Sequence, residues 1–332
     1  MTSIEEMAKS SEARGKDYNV DEDINLHKEE TMLLRKENRD KRIEAGQSKR
    51  IWVELYKVLD ASDVVCVVLD ARDPDGTRCK HVEKHLKKNC PTKHLIFVLN
   101  KVDLVPTSCT KKWIVALSKI APTIACSSRI KKPFGKQALL RLIRQFDILH
   151  KDKKTISVGL IGYPNVGKSS VINTMKDKQV CKAAPVPGET KIWQYVSLTK
   201  RVYMIDCPGI VYDSENVTDV DIVLKGVVRA ERLIDPSYYI EELLRRVEPT
   251  QMTQVYGLTS WTDASDFLDQ FARKSGRLLK GGDPDISTAA KMLLHDWQRG
   301  KILYFNMPTE EQAKPDIPSE DEEEDEEEED MK

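Results

Sequence analysis

From position 51 onward, short unbroken apolar runs alternate with longer stretches of helical periodicity. The runs 64–69 (VVCVVL), 95–99 (LIFVL) and 156–161 (ISVGLI) are apolar at nearly every position, the pattern of strands covered on both faces. Segments 123–126, 193–198 and 202–205 predict further strands, and 76–88, 110–120 and 135–149 predict helices between them. This alternation predicts an α/β fold with a mostly parallel, doubly wound sheet between two helical layers. Beyond about 220 the strand signal stops. Segments 221–246, 263–280 and 287–299 read as helices, with Gly281 and Gly300 as stops and Ser287 as an N-cap. The last of them places Ala290, Leu293, Leu294 and Trp297 on one face. The expected organisation is a charged arm over 1–50, an α/β domain over 51–220, a small all-helical domain over 221–307 and a disordered acidic tail over 308–332. Within the arm, 31–50 could form a basic helix.

Composition narrows the class. The chain has 332 residues, 40% of them hydrophobic, enough for a sizeable core. No stretch approaches the ~20 apolar residues of a membrane span, and the N-terminus lacks the apolar segment of a signal peptide. Seven scattered cysteines with no CxxC pair fit a reducing compartment, cytosolic or nuclear. The formal net charge of −1 conceals two opposite surfaces. Residues 320–330 are all acidic, and without them 53 basic residues face 43 acidic ones. Residues 111–154 carry 12 Lys and Arg against only Asp147 and Asp152. A block this basic suggests a polyanionic partner such as nucleic acid, with the tail competing for the same surface.

The strongest motif is Gly162-Tyr163-Pro164-Asn165-Val166-Gly167-Lys168-Ser169, followed by Ser170, between an apolar strand and a helical segment. In that setting GxxxxGKS is a phosphate loop. Backbone N–H groups of Gly162 to Ser170 converge on phosphate oxygens, Lys168 reaches the β/γ-phosphates and Ser169 ligates Mg²⁺ at the positive helix end. Asp206-Cys207-Pro208-Gly209 ends another strand, so Asp206 can orient Mg²⁺ and Gly209 can offer an N–H to a γ-phosphate. Thr190, in PVPGETK, is placed to close over Mg²⁺ and γ-phosphate. Base choice is carried by Asn100-Lys101-Val102-Asp103. The Asp103 carboxylate can accept from guanine N1 and N2 but finds no such donors on adenine, while Asn100 can bond N7 and the Lys101 stem can cover the ring. Ser127-Ser128-Arg129 is a looser candidate for the N–H that meets guanine O6. The ligands predicted are GTP or GDP with Mg²⁺.

The base-reading motifs at 100 and 127 precede the phosphate loop at 162, whereas they ordinarily follow it. The expected fold is therefore a circularly permuted P-loop GTPase domain with a small helical domain appended, joined across the permutation by 150–155 (HKDKKT). The Gly209 segment then runs directly into the helical domain, a route by which its movement could pull on that domain.

With DARDPDGTRC (70–79), NKVDLVP, GYPNVGKSSVINT, PGETKIWQY, IDCPGIVY, DIVLKGVVR (221–229) and KSGRLLKGGDPD…DWQRGKI (274–302), residues 40 to 307 resemble the circularly permuted GTPases of ribosome assembly. The guanine turn departs from the usual Ser-Ala-Lys. The resemblance implies a nuclear or nucleolar GTPase on the precursor of the large (60S) ribosomal subunit, bound to rRNA, ribosomal proteins and other assembly factors, with no membrane. The residue after DCPG is Ile210, where many GTPases carry a water-orienting glutamine, so intrinsic hydrolysis should be slow. In some relatives the asparagine matching Asn165 helps to hold a K⁺ ion that supplies charge in place of an arginine finger. Weak, K⁺-dependent hydrolysis stimulated by the pre-ribosome is the expectation. The alternative is a GTP-loaded scaffold whose occupancy is the signal.

Overall fold

A computed structural model describes residues 49–129, 133–182, 190, 192–212, 218–309 and 312. The expected arm up to residue 48, the segments flanking Thr190 and the acidic run lie outside the described residues. In chain order the elements are α1 (Lys49–Ala61), β1 (Val64–Asp70), α2 (Pro74–Thr77), α3 (Lys80–Asn89), β2 (His94–Asn100), α4 (Thr107–Ser118), β3 (Thr123–Ala125) and α5 (Lys136–Leu149). There follow β4 (Ile156–Gly162), α6 (Lys168–Lys176), β5 (Gln194–Ser197), β6 (Val202–Asp206), α7 (Asp219–Leu224), α8 (Ile240–Arg246), α9 (Pro249–Tyr256), α10 (Ala264–Ser275) and α11 (Ile286–Arg299).

The six strands form one sheet in the order β3-β2-β1-β4-β6-β5, parallel throughout except for β5. Every β1 residue is buried, as an unbroken apolar run requires when both faces are covered. On one face Val65, Val67, Leu69, Phe97 and Leu99 pack under α1, α3 and α4. On the other, Val64, Cys66, Val68, Val98 and Leu160 pack under α5 and α6, in a core that continues without a break into α7 to α11. Register aligns the carboxyl ends of four neighbouring strands: Asp70 pairs with Asn100, Val68 with Gly162 and Leu160 with Asp206. The motif residues therefore share one rim of the sheet, the place where open α/β sheets bind ligands.

The helical region departs from expectation in ways that local chemistry explains. The stretch 221–246 is not one helix. Helix α7 begins at a Thr218–Asp221 capping box and stops at Gly226, where the N–H groups of Gly226 and Val227 bond Val223 O and Ile222 O in a Schellman ending. Two 3₁₀ turns follow before α8. Helix α9, which lies between the expected helices 221–246 and 263–280 and belongs to neither, starts on Pro249 and ends at left-handed Gly257. Helix α10 ends at Gly276 rather than Gly281, and α11 is capped by Asp285 rather than Ser287. Past Gly300, Ile302 and Phe305 return the chain to the core, and Asn306 O accepts from the Trp113 indole N–H at 2.7 Å.

Candidate nucleotide site

The phosphate loop leaves β4 and turns into α6 through Gly167, at φ 96. A Cβ on Gly167 would lie 2.4 Å from Asn100 Nδ2, so close approach and left-handed backbone both demand glycine. Lys168 opens α6 and is buried, its ammonium donating to Gly162 O at 3.0 Å and Tyr163 O at 2.9 Å. Folded back in this way it spans the bend of the loop where phosphate oxygens would bind. Burial pulls its pKa down to about 8, with Cys207 and Asp206 acting in the opposite direction. Ser170 follows in the first turn of α6.

At the N-terminus of α6 three oxygen-bearing side chains meet. Ser169 Oγ donates to Asp206 Oδ2 at 2.7 Å, Thr190 Oγ1 approaches the same oxygen at 3.4 Å, and the two hydroxyls lie 3.2 Å apart. Asp206 is fully buried, and its Oδ1 has no hydrogen-bond partner among the described residues. Burial raises its pKa, against the pull of Ser169, Lys168, the nearby Cys181 thiol and Thr190. A buried carboxylate oxygen lacking a partner, beside two hydroxyls, is a hard-oxygen corner that fits Mg²⁺. The Gly209 segment closes the loop from above: Ile210 N–H donates to Gly162 O at 3.3 Å, and a Cβ on Gly209 would be 2.6 Å from Pro164 Cα. Ile210 itself is entirely buried in the core under α1 and α3, so it presents nothing to an attacking water.

The base-reading residues form a connected network. Asn100 is buried; its amide donates to Val166 O at 2.8 Å while its Oδ1 accepts from Ser128 Oγ at 2.9 Å and Ser128 N–H at 3.3 Å. One side chain thus ties the phosphate loop to the serine turn. Ser127 Oγ donates to Asp103 Oδ1 at 2.7 Å and Arg129 approaches Oδ2 at 3.6 Å, so both carboxylate oxygens are held from the serine turn. The Ser127 N–H donates to Phe134 O at 3.0 Å, and its hydroxyl donates to Asp103. Lys101, left-handed at φ 64, reaches back to Asp70 Oδ2 at 2.9 Å. Arg72 grips both Asp70 oxygens, at 3.1 and 2.7 Å, and donates to Trp297 O at 3.1 Å. Burial alone would raise the Asp70 pKa, but the Arg72 and Lys101 charges hold it well below the usual carboxylate range.

Sequence reasoning did not connect the helical region to the loop. Asn165, at φ 60, directs its amide nitrogen toward the turn after α7: a Cβ on Gly226 would meet Asn165 Nδ2 at 2.8 Å. Gly300 is similarly tight against Leu104, beside Asp103. A glycine at a helix end signals a stop, and nothing in its spacing tells what lies across from it.

The family model described as a 50S ribosome-binding GTPase matches residues 157–255, beginning on the phosphate-loop strand and leaving the permuted base-reading half outside. Curated relatives include nuclear/nucleolar GTPase 2 of Oryza sativa, 57% identical over 295 residues, covering 89% of this chain and 55% of its own. Nucleolar GTP-binding protein 2 of Candida glabrata is 49% identical over 318 residues, covering 94% and 64%. The Saccharomyces cerevisiae protein of the same name is 55% identical over 269 residues, covering 81% and 55%. The chain thus spans between half and two thirds of the length of these relatives. Among solved structures, GNP-bound YlqF from T. maritima aligns with a TM-score of 0.54 at 28% identity, over 76% of this chain and 95% of that one.

Proposed function

We propose that this chain, a circularly permuted P-loop GTPase and a homologue of nucleolar GTP-binding protein 2, binds GTP with Mg²⁺ and hydrolyses it as an assembly factor on the large-subunit precursor in the nucleolus and nucleus. The observation that carries the reading is the meeting of Ser169, Thr190 and the partnerless Asp206 Oδ1 beside Lys168, at the same strand rim as Asn100 and Asp103. Mg²⁺ held there would offset the charge of the phosphates. Ser169 and Thr190 would hold the ion through their hydroxyl oxygens, beside the Asp206 carboxylate. Lys168 exchanges its two carbonyl partners for phosphate oxygens. Gly209, packed against Pro164, would offer its N–H to the terminal phosphate, and Asn165 would sit where a monovalent cation such as K⁺ adds positive charge.

Base choice gives the direct test. Asp103→Asn replaces an acceptor with an amide that can donate to the 2-oxo group of xanthine. The variant should lose roughly 10²-fold or more in GTP affinity and gain XTP binding. Equal binding of ATP and GTP by the unaltered chain would sink the reading. Hydrolysis is expected to be slow in Na⁺, faster in K⁺ and faster again with pre-ribosomal particles.

Buried Ile210 favours a second reading, in which occupancy rather than hydrolysis reports assembly state. Single-turnover measurements on particles separate the two. Under the first, GTP is cleaved before the factor leaves; under the second, release proceeds with an uncleavable analogue.

A further inference from the structure

The helical region meets the phosphate loop at one turn. After α7 the chain passes through Lys225 and Gly226, the latter at φ +74. Lys225 Nζ is anchored on the other side of the loop, 2.9 Å from Gly76 O and 3.4 Å from Asp73 Oδ2, and lies 5.9 Å from the Tyr163 ring centroid. Two residues of α11 fasten the end of α7: the Trp297 indole N–H donates to Leu224 O at 2.8 Å, and Gln298 Nε2 donates to Val223 O at 3.2 Å. At Gly226 the backbone has a free berth, and the group in it is the Asn165 amide, 2.8 Å from where a Cβ would stand, with Gln298 Cγ and Cδ at 3.5 Å. Among the described residues Asn165 makes no side-chain hydrogen bond, and its Nδ2 lies against this turn. A shallow cleft walled by Pro164, Val166, Leu224, Lys225 and Trp297 lies alongside.

We propose that Gly226 is a positioning residue of the nucleotide site: its bare Cα seats the Asn165 side chain, so that α7 and α11 set the conformation of the phosphate loop. The inference rests on the guanine-nucleotide reading above and extends it, by making the helical region part of the hydrolytic site rather than a passenger on the Gly209 segment. Gly226 also has an ordinary reason to be glycine, because the Schellman ending requires a left-handed residue there. The two roles separate experimentally. Asparagine is the side chain that tolerates this backbone best, so Gly226→Asn keeps the helix ending and fills the berth. An internal control exists at Gly276, the same ending of α10 at φ +70, where a Cβ would meet nothing within 4 Å.

The test uses the full chain. Hydrolysis at saturating GTP and GDP affinity with Mg²⁺ are measured for Gly226→Asn, for the smaller wedge Gly226→Ala and for Gly276→Asn, with thermal melts confirming folding. Gly226→Asn should slow hydrolysis about tenfold while GDP affinity moves by less than about threefold, and Gly276→Asn should change neither. In an Asn165→Gly background, which suits the φ of 60, Gly226→Asn should have no further effect on the rate. An equal rate loss in both backgrounds, a rate loss in neither, or an equal fall in rate and GDP affinity overturns the proposal. If the unaltered chain binds no guanine nucleotide, the functional reading itself fails and this inference falls with it.

Discussion

Lys168 shows how one buried group imposes opposite pH slopes on folding and on binding. Its pKa in the nucleotide-free fold, about 8, lies below the ordinary lysine value, so between the two the unfolded chain holds more protons. Stability of the free protein should therefore rise with pH across that window. Phosphate oxygens beside the ammonium would return its pKa toward normal, so nucleotide binding should take up protons above pH ~8 and weaken as pH rises. Calorimetry at pH ~8.5 in two buffers of different ionisation enthalpy should show uptake of a fraction of a proton that Lys168→Met abolishes; identical apparent enthalpies would refute it. Asp206 carries the opposite conflict. Its folded pKa is raised by burial, so its charge costs stability, increasingly as pH climbs above the ordinary aspartate value. Asp206→Asn should raise the urea-unfolding midpoint of the nucleotide-free chain at neutral pH while removing Mg²⁺-dependent nucleotide affinity. Asp70 is the contrary case, since Arg72 and Lys101 depend on it. Asp70→Asn leaves two cations in a buried cluster and should cost about 3–5 kcal/mol.

At the scale of elements, the helical region shares a core with the α/β layer and also holds it through the Lys225 turn on the phosphate loop and the segment after α11 beside Asp103. In the second, Gly300 abuts Leu104, Asn306 N–H donates to Arg72 O at 2.8 Å and Asn306 O holds the Trp113 indole. Ending the chain after residue 300 withdraws Ile302 and Phe305 from the core and strips Trp113 of its acceptor. That should cost about 3 kcal/mol and weaken guanine binding, compared in denaturant titrations with a chain ending after 312; equal midpoints would show that the segment holds nothing. The six strands and the motif corners were legible because unbroken apolar runs and fixed motif spacing are local signals. The break of 221–246 was less so: a glycine and Pro236 lie inside a periodic pattern, and only the packing of Trp297 and Gln298 onto the end of α7 shows that the chain turns there. The Asn165–Gly226 approach, across 61 positions of chain, has no sequence signature at all.

For the whole molecule, the fold converts the linear charge pattern into a placed one. The basic block 111–154 includes α4 on one face of the sheet, the serine turn beside Asp103, and α5 on the other face, so it wraps the β3 edge. Lys111, Lys112, Arg141, Arg144, Lys151 and Lys154 are exposed along it, while Lys153 is tied to Asp63 at 2.6 Å. An RNA helix laid along this edge would touch the guanine turn through the same surface that contacts its phosphates, which gives a particle a physical means of acting on the nucleotide site. The 11 acidic residues at 320–330 would compete for that edge as a tethered polyanion. Deleting them should tighten binding to structured rRNA by about tenfold at roughly 50 mM salt and steepen the decline of affinity with salt, because more phosphate contacts then form at the expense of released counterions. The advantage should shrink at roughly 200 mM, where the Debye length is short. If deletion leaves the low-salt affinity unchanged while Arg141→Glu and Arg144→Glu weaken it, RNA uses this edge and the tail does not compete for it.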